Sequence, residues 1–448
     1  MKHKKLFISL TAIGTVLLAL VIFLMIWFWG DSYKSNSKHD GFENFRREIA
    51  IPGLKDGACP QGLASYRTTY TEETGELKDP DNPDGGKVTV EKTQTYFFMS
   101  AYFKDEPSRI YVIGEKTGEV GYVTMKVPDK DNPAEYKDYY GHCGGVATNG
   151  YTFWMVSDNT VYCAQKDGTS SSSNNITRDI ITLAESKGEL TFNTSFNANC
   201  SASFCYFYDA DGSTDNRSTS DKLYVGEFYR PKDYETDELH HVTTNNGYEN
   251  RAFVYEYNIT TTSGNKYGLS LISSDSVAEE NRVPKVQNVY SISDEIQGFA
   301  RTRANGLVLS RSWGLSNSHI YYYDWAKITE SSNRKLYREL TYEVKDENGN
   351  PKKDDNGNVV TQTYGGFTYE GVMTKGGATY KDRDSVYIYF VDEGSLLNDY
   401  SIPSMSEGLC LVNDRVYVLF ESGANKYKLF VRQKLTDIYS FIPRAKKN

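Results

Sequence analysis

IQGFARTRANGLVLSRSWGLSNSHIYYY, residues 296–323, alternates apolar runs with turn formers. Ile296 to Ala300 and Leu307 to Ser310 flank Ala304-Asn305-Gly306. Trp313 to Asn317 then leads into His319 to Tyr323. Short runs of β-formers bounded by Gly, Asn and Ser predict strands, here three in succession.

The pattern recurs along the chain. Gln297-Gly298-Phe299-Ala300 has counterparts in Gln61-Gly62-Leu63-Ala64, Gly144-Gly145-Val146-Ala147 and Glu407-Gly408-Leu409-Cys410. A weaker copy opens at Ala202-Ser203-Phe204 and leads to Leu223-Tyr224-Val225-Gly226-Glu227. After each opening comes a stronger apolar strand, ending at Met99-Ser100-Ala101, Val156-Ser157-Asp158, Ser310-Arg311-Ser312 or Phe420-Glu421-Ser422. Third strands follow in three copies, at Ser108 to Val112, Asn159 to Tyr162 and Ser318 to Tyr322. Such a unit predicts a β-propeller blade, with Gly on an inner strand where neighbouring blades crowd.

The copies lie further apart than the ~40–50 residues of a compact blade. The surplus falls in polar hairpin-like inserts at Thr71 to Gln94, Asp209 to Asp221, Arg230 to Asn250 and Lys345 to Tyr364. The long last interval, containing Tyr387 to Val391, has room for further blades. The expectation is an all-β chain: a single β-propeller of five to seven four-stranded blades over 58–440, with no second domain. Beyond residue 58 no amphipathic helix longer than two turns is expected.

Three lysines stand within Met1 to Lys5, and Leu6 to Trp29 runs without a charge. That length of helix crosses a ~30 Å hydrocarbon core. A cleaved signal peptide has a shorter apolar core and a small-x-small ending. This run ends instead in Trp27-Phe28-Trp29, an interfacial belt. Residues 1–5 are therefore read as a cytoplasmic tail and 6–29 as an uncleaved transmembrane signal-anchor in contact with the lipid bilayer. Residues 30–57 are read as an extracytoplasmic stalk, which places the propeller outside a single-pass cell membrane.

Of the 448 residues 14% are aromatic, and the net charge is −9, which excludes disordered and nucleic-acid-binding classes. Most of the acidity is a solvated surface. The six cysteines, Cys59, Cys143, Cys163, Cys200, Cys205 and Cys410, match no zinc spacing. In an extracytoplasmic protein they are candidates for three disulfides, with buried free thiols as the rival reading.

Several segments resemble blades of uncharacterised secreted or membrane-anchored bacterial β-propeller proteins. They are Ile296-Gln297-Gly298-Phe299 with Ser310 to Gly314 and Ser318-His319-Ile320; Met405 to Gly408 with Val418 to Ala424; Pro60-Gln61-Gly62; and His142 to Val146. More distantly the layout is similar to lactonase-type and strictosidine-synthase-like propellers. The resemblance implies the fold and an extracytoplasmic location; it brings no reaction, and the lactonase metal ligands have no counterparts here.

Propellers bind ligands at a channel mouth, on the starts of inner strands and the loops beside them. The polar residues before each repeat Gly are channel candidates: Gln61, Gln297 and Glu407, with His142 nearby. The ends of the second strands add Ser100, Ser157, Asp158, Glu227, Arg311 and Glu421. Together Gln61, His142, Glu227, Gln297, Arg311, Glu407 and Glu421 form the expected ligand-binding set, against a structural use in a wet channel. Glu227, Glu407 and Glu421 form a candidate calcium site, and two carboxylates suit acid and base work on a glycosidic bond. Asp209-x-Asp211-x-Ser213-x-Asp215 starts like a calcium loop but lacks its Gly and final Glu. His240-His241 reads as solvent-facing.

No nucleophile elbow, zinc helix, phosphate loop or dinucleotide fingerprint appears. Three functions remain: a surface module that binds a ligand, extracytoplasmic protein or glycan; a metal-dependent hydrolase or lactonase; and a scaffold presenting Arg230 to Asn250 and Lys345 to Tyr364.

Overall fold

The computed structural model describes residues 15–22, 39, 41–77, 86–129, 132, 134–166, 175–198, 200–212, 218–262, 265–271, 282–343, 350–354, 357–367, 381–427, 431 and 433–446. The repeat segments form antiparallel sheets in a propeller-like arrangement. The first sheet runs outward from Cys59–Leu77 through Lys87–Tyr102 and Arg109–Gly114 to Gly118–Pro128. The second runs from Gly145–Thr148 through Thr152–Ser157 and Thr160–Gln165 to Thr194–Asn197. In the third, Ala202–Tyr208 is followed by Lys222–Glu227, Ala252–Asn258 and Val286–Ile292. The fourth holds Ile296–Thr302, Gly306–Arg311, Ser318–Asp324 and Leu396–Ile402. The fifth holds Ser406–Val412, Arg415–Phe420 and Asp437–Phe441, and is completed by the N-terminal strand Arg46–Ala50.

The first strands of these sheets touch in sequence, and Ser406–Val412 returns to Cys59–Leu77, closing a ring. The repeat glycines sit at these contacts. A Cβ on Gly62 would lie 2.8 Å from the Gly145 Cα and the Val146 N, and one on Gly408 2.5 Å from the Leu63 N. Real Cβ atoms do not approach backbone so closely, so the crowding expected of the inner strands is met. The core between sheets is aromatic and aliphatic, with Phe97, Phe98, Phe153, Trp154, Phe253 and Leu309 fully buried.

Four sequence expectations need correction. Tyr387 to Val391 starts no additional blade. Lys381–Phe390 pairs in parallel with Val286–Ile292 and, with Arg334–Glu343 and Thr361–Phe367, extends the third sheet outward. The folded body begins before residue 58, within the range expected to be a stalk. Gly41 bridges Ser401, Phe45 stacks on Phe441 at 4.3 Å, and Arg46–Ala50 pairs with Asp437–Phe441, so the folded body starts near residue 41. A helix that was not expected spans Ile176–Glu185. Asn175 caps it by accepting from the Arg178 N–H at 3.0 Å, and Thr177, Ile180 and Ala184 are buried on one face. Finally, the six cysteines are free, buried thiols rather than disulfides.

The expected membrane span lies largely outside the described residues. Within it residues 15–22 are helical, with Val16, Leu17 and Leu18 exposed. Among the described residues no helix is long and apolar enough to cross a membrane.

Candidate functional site

A cavity of about 1210 Å³ opens where inner strands begin and second strands end. Gln61, His142, Gln297, Arg311, Glu407 and Glu421 all line it, six of the seven residues of the expected ligand-binding set. Their place follows from the repeat: Gln61, Gln297 and Glu407 each precede an inner-strand Gly, and Arg311 and Glu421 each end or follow a second strand.

One wall is organised by Glu421. Its Oε1 accepts from the Gln61 Nε2 at 3.2 Å and pairs with the Lys426 Nζ at 2.9 Å, while the Cys59 thiol donates at 2.5 Å. Its Oε2 accepts from the Tyr427 hydroxyl at 2.9 Å. Burial is the largest single effect on Lys426 and lowers its pKa, but Glu421, Cys59, Tyr102 and Tyr427 together outweigh it and the ammonium is held above its ordinary range. Glu407 lies on the same wall, 6% exposed, with its pKa raised well above the carboxylate range by burial and then by the charge of Glu421. His142 stacks on Tyr102 at 4.0 Å, and burial keeps its imidazole neutral to lower pH than usual.

A second wall is built on Glu295, which lies between two guanidinium groups. Arg311 donates to its Oε2 at 2.9 Å and Arg230 pairs with its Oε1. Arg230 also lies over the Trp313 ring, 4.4 Å from its centroid, and Tyr234 meets Trp313 edge-on at 5.8 Å. Glu295 and Met405 have φ of 66°, in the left-handed region that non-glycine residues seldom occupy. Each stands three residues before its repeat Gly, so the two strained positions are equivalent and both line the cavity.

Sequence reasoning missed Glu295, Trp313, Arg230 and Lys426. The left-handed conformation leaves no sequence mark at Glu295 or Met405. Trp313-Gly314, however, sat in plain view directly after the second strand.

Glu227 is elsewhere. Its Oε1 and Oε2 are both 2.9 Å from the His240 Nδ1, and Oε2 also accepts from the Phe253 N–H at 2.9 Å. It fixes the insert 230–250 to the third sheet, so His240 is 4% exposed rather than solvent-facing. Ser100 and Ser310 also turn away from the cavity. Ser100 accepts from the Gly62 N–H and donates to the Cys143 carbonyl, and Ser310 shares a hydrogen bond of 2.7 Å with Ser406, joining adjacent sheets. Ser157 and Asp158 are likewise absent from the cavity lining.

The expected calcium trio is therefore not assembled. Among the described residues no three His, Cys, Asp or Glu side chains form a metal-ligating group. Glu421 is already occupied by an ammonium, a thiol, an amide and a phenol, a donor set that does not suit a hard cation. Asp209 of the loop-like segment pairs with Arg303 at 3.0 Å, and burial first among its causes pushes its pKa up to about 6; Ser213 to Asp215 lie outside the described residues.

No known family model matches the chain, and no curated protein matches it. Among solved structures it is similar to the PQQ-bound aldose sugar dehydrogenase of Streptomyces coelicolor, at 11% identity and a TM-score of 0.32, over 88% of this chain and 95% of that one. It is also similar to BamB of Moraxella catarrhalis, at 7% identity and a TM-score of 0.23, over 77% and 80% of the two chains. Likenesses this distant say nothing of what this chain binds or does.

Proposed function

We propose that this chain is a β-propeller, held at an extracytoplasmic membrane surface by residues 6–29, that binds a ligand or partner in the cavity at its channel mouth. One observation carries the reading. Six side chains from different blades converge on one open cavity, five of them at two matching positions of the repeat and His142 just before the second inner strand. Sites of this kind are concave, with polar groups set among aromatic walls. The apolar run Leu6 to Trp29 with its basic flank supports the anchor. As in the uncharacterised bacterial propellers that its blades resemble, no catalytic signature accompanies the fold.

The test is capture of bound protein or glycan from intact envelopes by the full-length chain, compared with Gln297→Trp. Gln297 lines the cavity, is only partly buried and makes no side-chain hydrogen bond to a described residue, so an indole there should occupy the cavity without disturbing the blade. A partner recovered by the native chain and lost with Gln297→Trp is the expected result. Equal recovery by both, or none above background, overturns the proposal.

A further inference from the structure

We propose that the cavity selects an anionic saccharide, whose carboxylate is held by Arg230 and Arg311 and whose ring lies along the wall at Tyr234, beside Trp313. The inference rests on the binding reading above and adds the chemical class of the ligand.

The two arginines come from different parts of the chain. Arg311 ends the second strand of the fourth sheet, whereas Arg230 opens the insert after the third sheet's second strand. They share one carboxylate, Glu295, largely buried between them, while Arg230 also pairs at 3.5 Å with Asp233, whose side chain is 53% exposed and screened by solvent. Each guanidinium has five N–H donors. Arg311 uses Nη1 on the Tyr321 hydroxyl at 3.3 Å and Nη2 on Glu295, which leaves donors free. The Arg230 Nε is buried without a hydrogen bond, 3.5 Å from Asp233. Both side chains are about one-third exposed, at 31% and 38%, so their unused Nη–H donors, unlike the buried Arg230 Nε, are within reach of a ligand.

The geometry is that of an oxyanion clamp. Planar guanidinium forks match carboxylate oxygens in pairs, and stacking on Trp313 fixes the fork of Arg230. Glu295 is held between them from a left-handed backbone position, the kind of strain that concentrates at ligand clamps. It keeps the two arginines in register. The saccharide half of the assignment comes from the remaining lining: Trp313 is covered by Arg230 and Phe228, but Tyr234 beside it is 55% exposed and offers an open aromatic surface, with amides and hydroxyls at Gln61, Gln297, Ser312 and Ser316. Aromatic faces pack against sugar rings while amides and hydroxyls meet their hydroxyls.

The experiment uses full-length protein in detergent on an oligosaccharide panel with uronic-acid, sulfated, phosphorylated and neutral members. The proposal expects uronic-acid members to bind best, binding to weaken with added salt, and Arg311→Gln to reduce affinity roughly 10- to 100-fold, as loss of a charge-assisted hydrogen bond does. Because Arg311 also holds Tyr321, Arg230→Gln is the second variant, and melting curves establish that each is folded. Neutral members binding as tightly as uronic ones, with no loss in either folded variant, would overturn the anion assignment and leave the binding reading intact. Preference for sulfated or phosphorylated members alone overturns the carboxylate. If no saccharide binds while a protein partner is captured from envelopes, the saccharide inference fails by itself.

Discussion

Glu407 stands where one side chain's protonation bears on the stability of the whole fold. Its folded-state pKa is raised by burial and by Glu421, whereas in the unfolded chain it returns to ~4.3. The stabilisation tied to its proton is complete below the unfolded value. It is lost as pH rises through the folded value, because a second charge must then sit beside Glu421. Glu407→Gln keeps the shape and removes the titration. The melting temperatures of the two proteins should agree near pH 4 and separate as pH rises, the variant leading by about 2 °C or more at pH 9. A difference that does not change between those pH values would show that Glu407 has no raised pKa. The same comparison leaves Arg311 and Glu295 untouched, so it separates the acidic wall from the arginine wall.

At the scale of strands and loops, the repeat Gly and the small residue ending each second strand act together. Gly62 lets one inner strand approach the next, and Ser100 ties the gap by accepting from the Gly62 N–H at 2.8 Å and donating to the Cys143 carbonyl at 2.7 Å. Ser100→Ala leaves both backbone groups buried and unpaired, which costs about 1–3 kcal/mol. Urea denaturation should show that loss with an unchanged slope; a midpoint equal to the native one would mean that water takes over the serine's role. These elements were legible because packing between blades writes Gly and Ser at fixed positions of a repeat. Gln61, Gln297, Arg311, Glu407 and Glu421 followed by position alone, since the same repeat brings them to one rim. Glu227 followed the same rule and failed: the insert 230–250 delivers His240 to its carboxylate, a contact no local pattern announces. The parallel pairing of Lys381–Phe390 escaped for a related reason, because a strand's own sequence says little about which edge it joins. The cysteines were open to either reading, and burial in apolar packing decided for thiols.

Closure of the ring is a property of the whole molecule. The fifth sheet is assembled from both ends of the chain: Arg46–Ala50 lies outside Asp437–Phe441, Arg47 pairs with Asp437 at 2.9 Å, and Phe42 and Phe45 pack on Tyr439 and Phe441. Without that strand the hydrogen-bonding edge of Asp437–Phe441 is open to other chains. Two truncations separate the anchor from the closure. A chain starting at residue 41 loses the apolar run but keeps the whole sheet, so its melting temperature should match that of the full-length protein in detergent. A chain starting at residue 52 loses the closing strand and should melt lower and self-associate, measured by light scattering alongside the melt. Adding a peptide of residues 41–51 should restore the shorter chain in a concentration-dependent way, because binding to the folded state alone shifts unfolding by mass action. Equal melting of the two truncations would mean that the ring is held shut by its inner strands and that the N-terminal strand is merely appended.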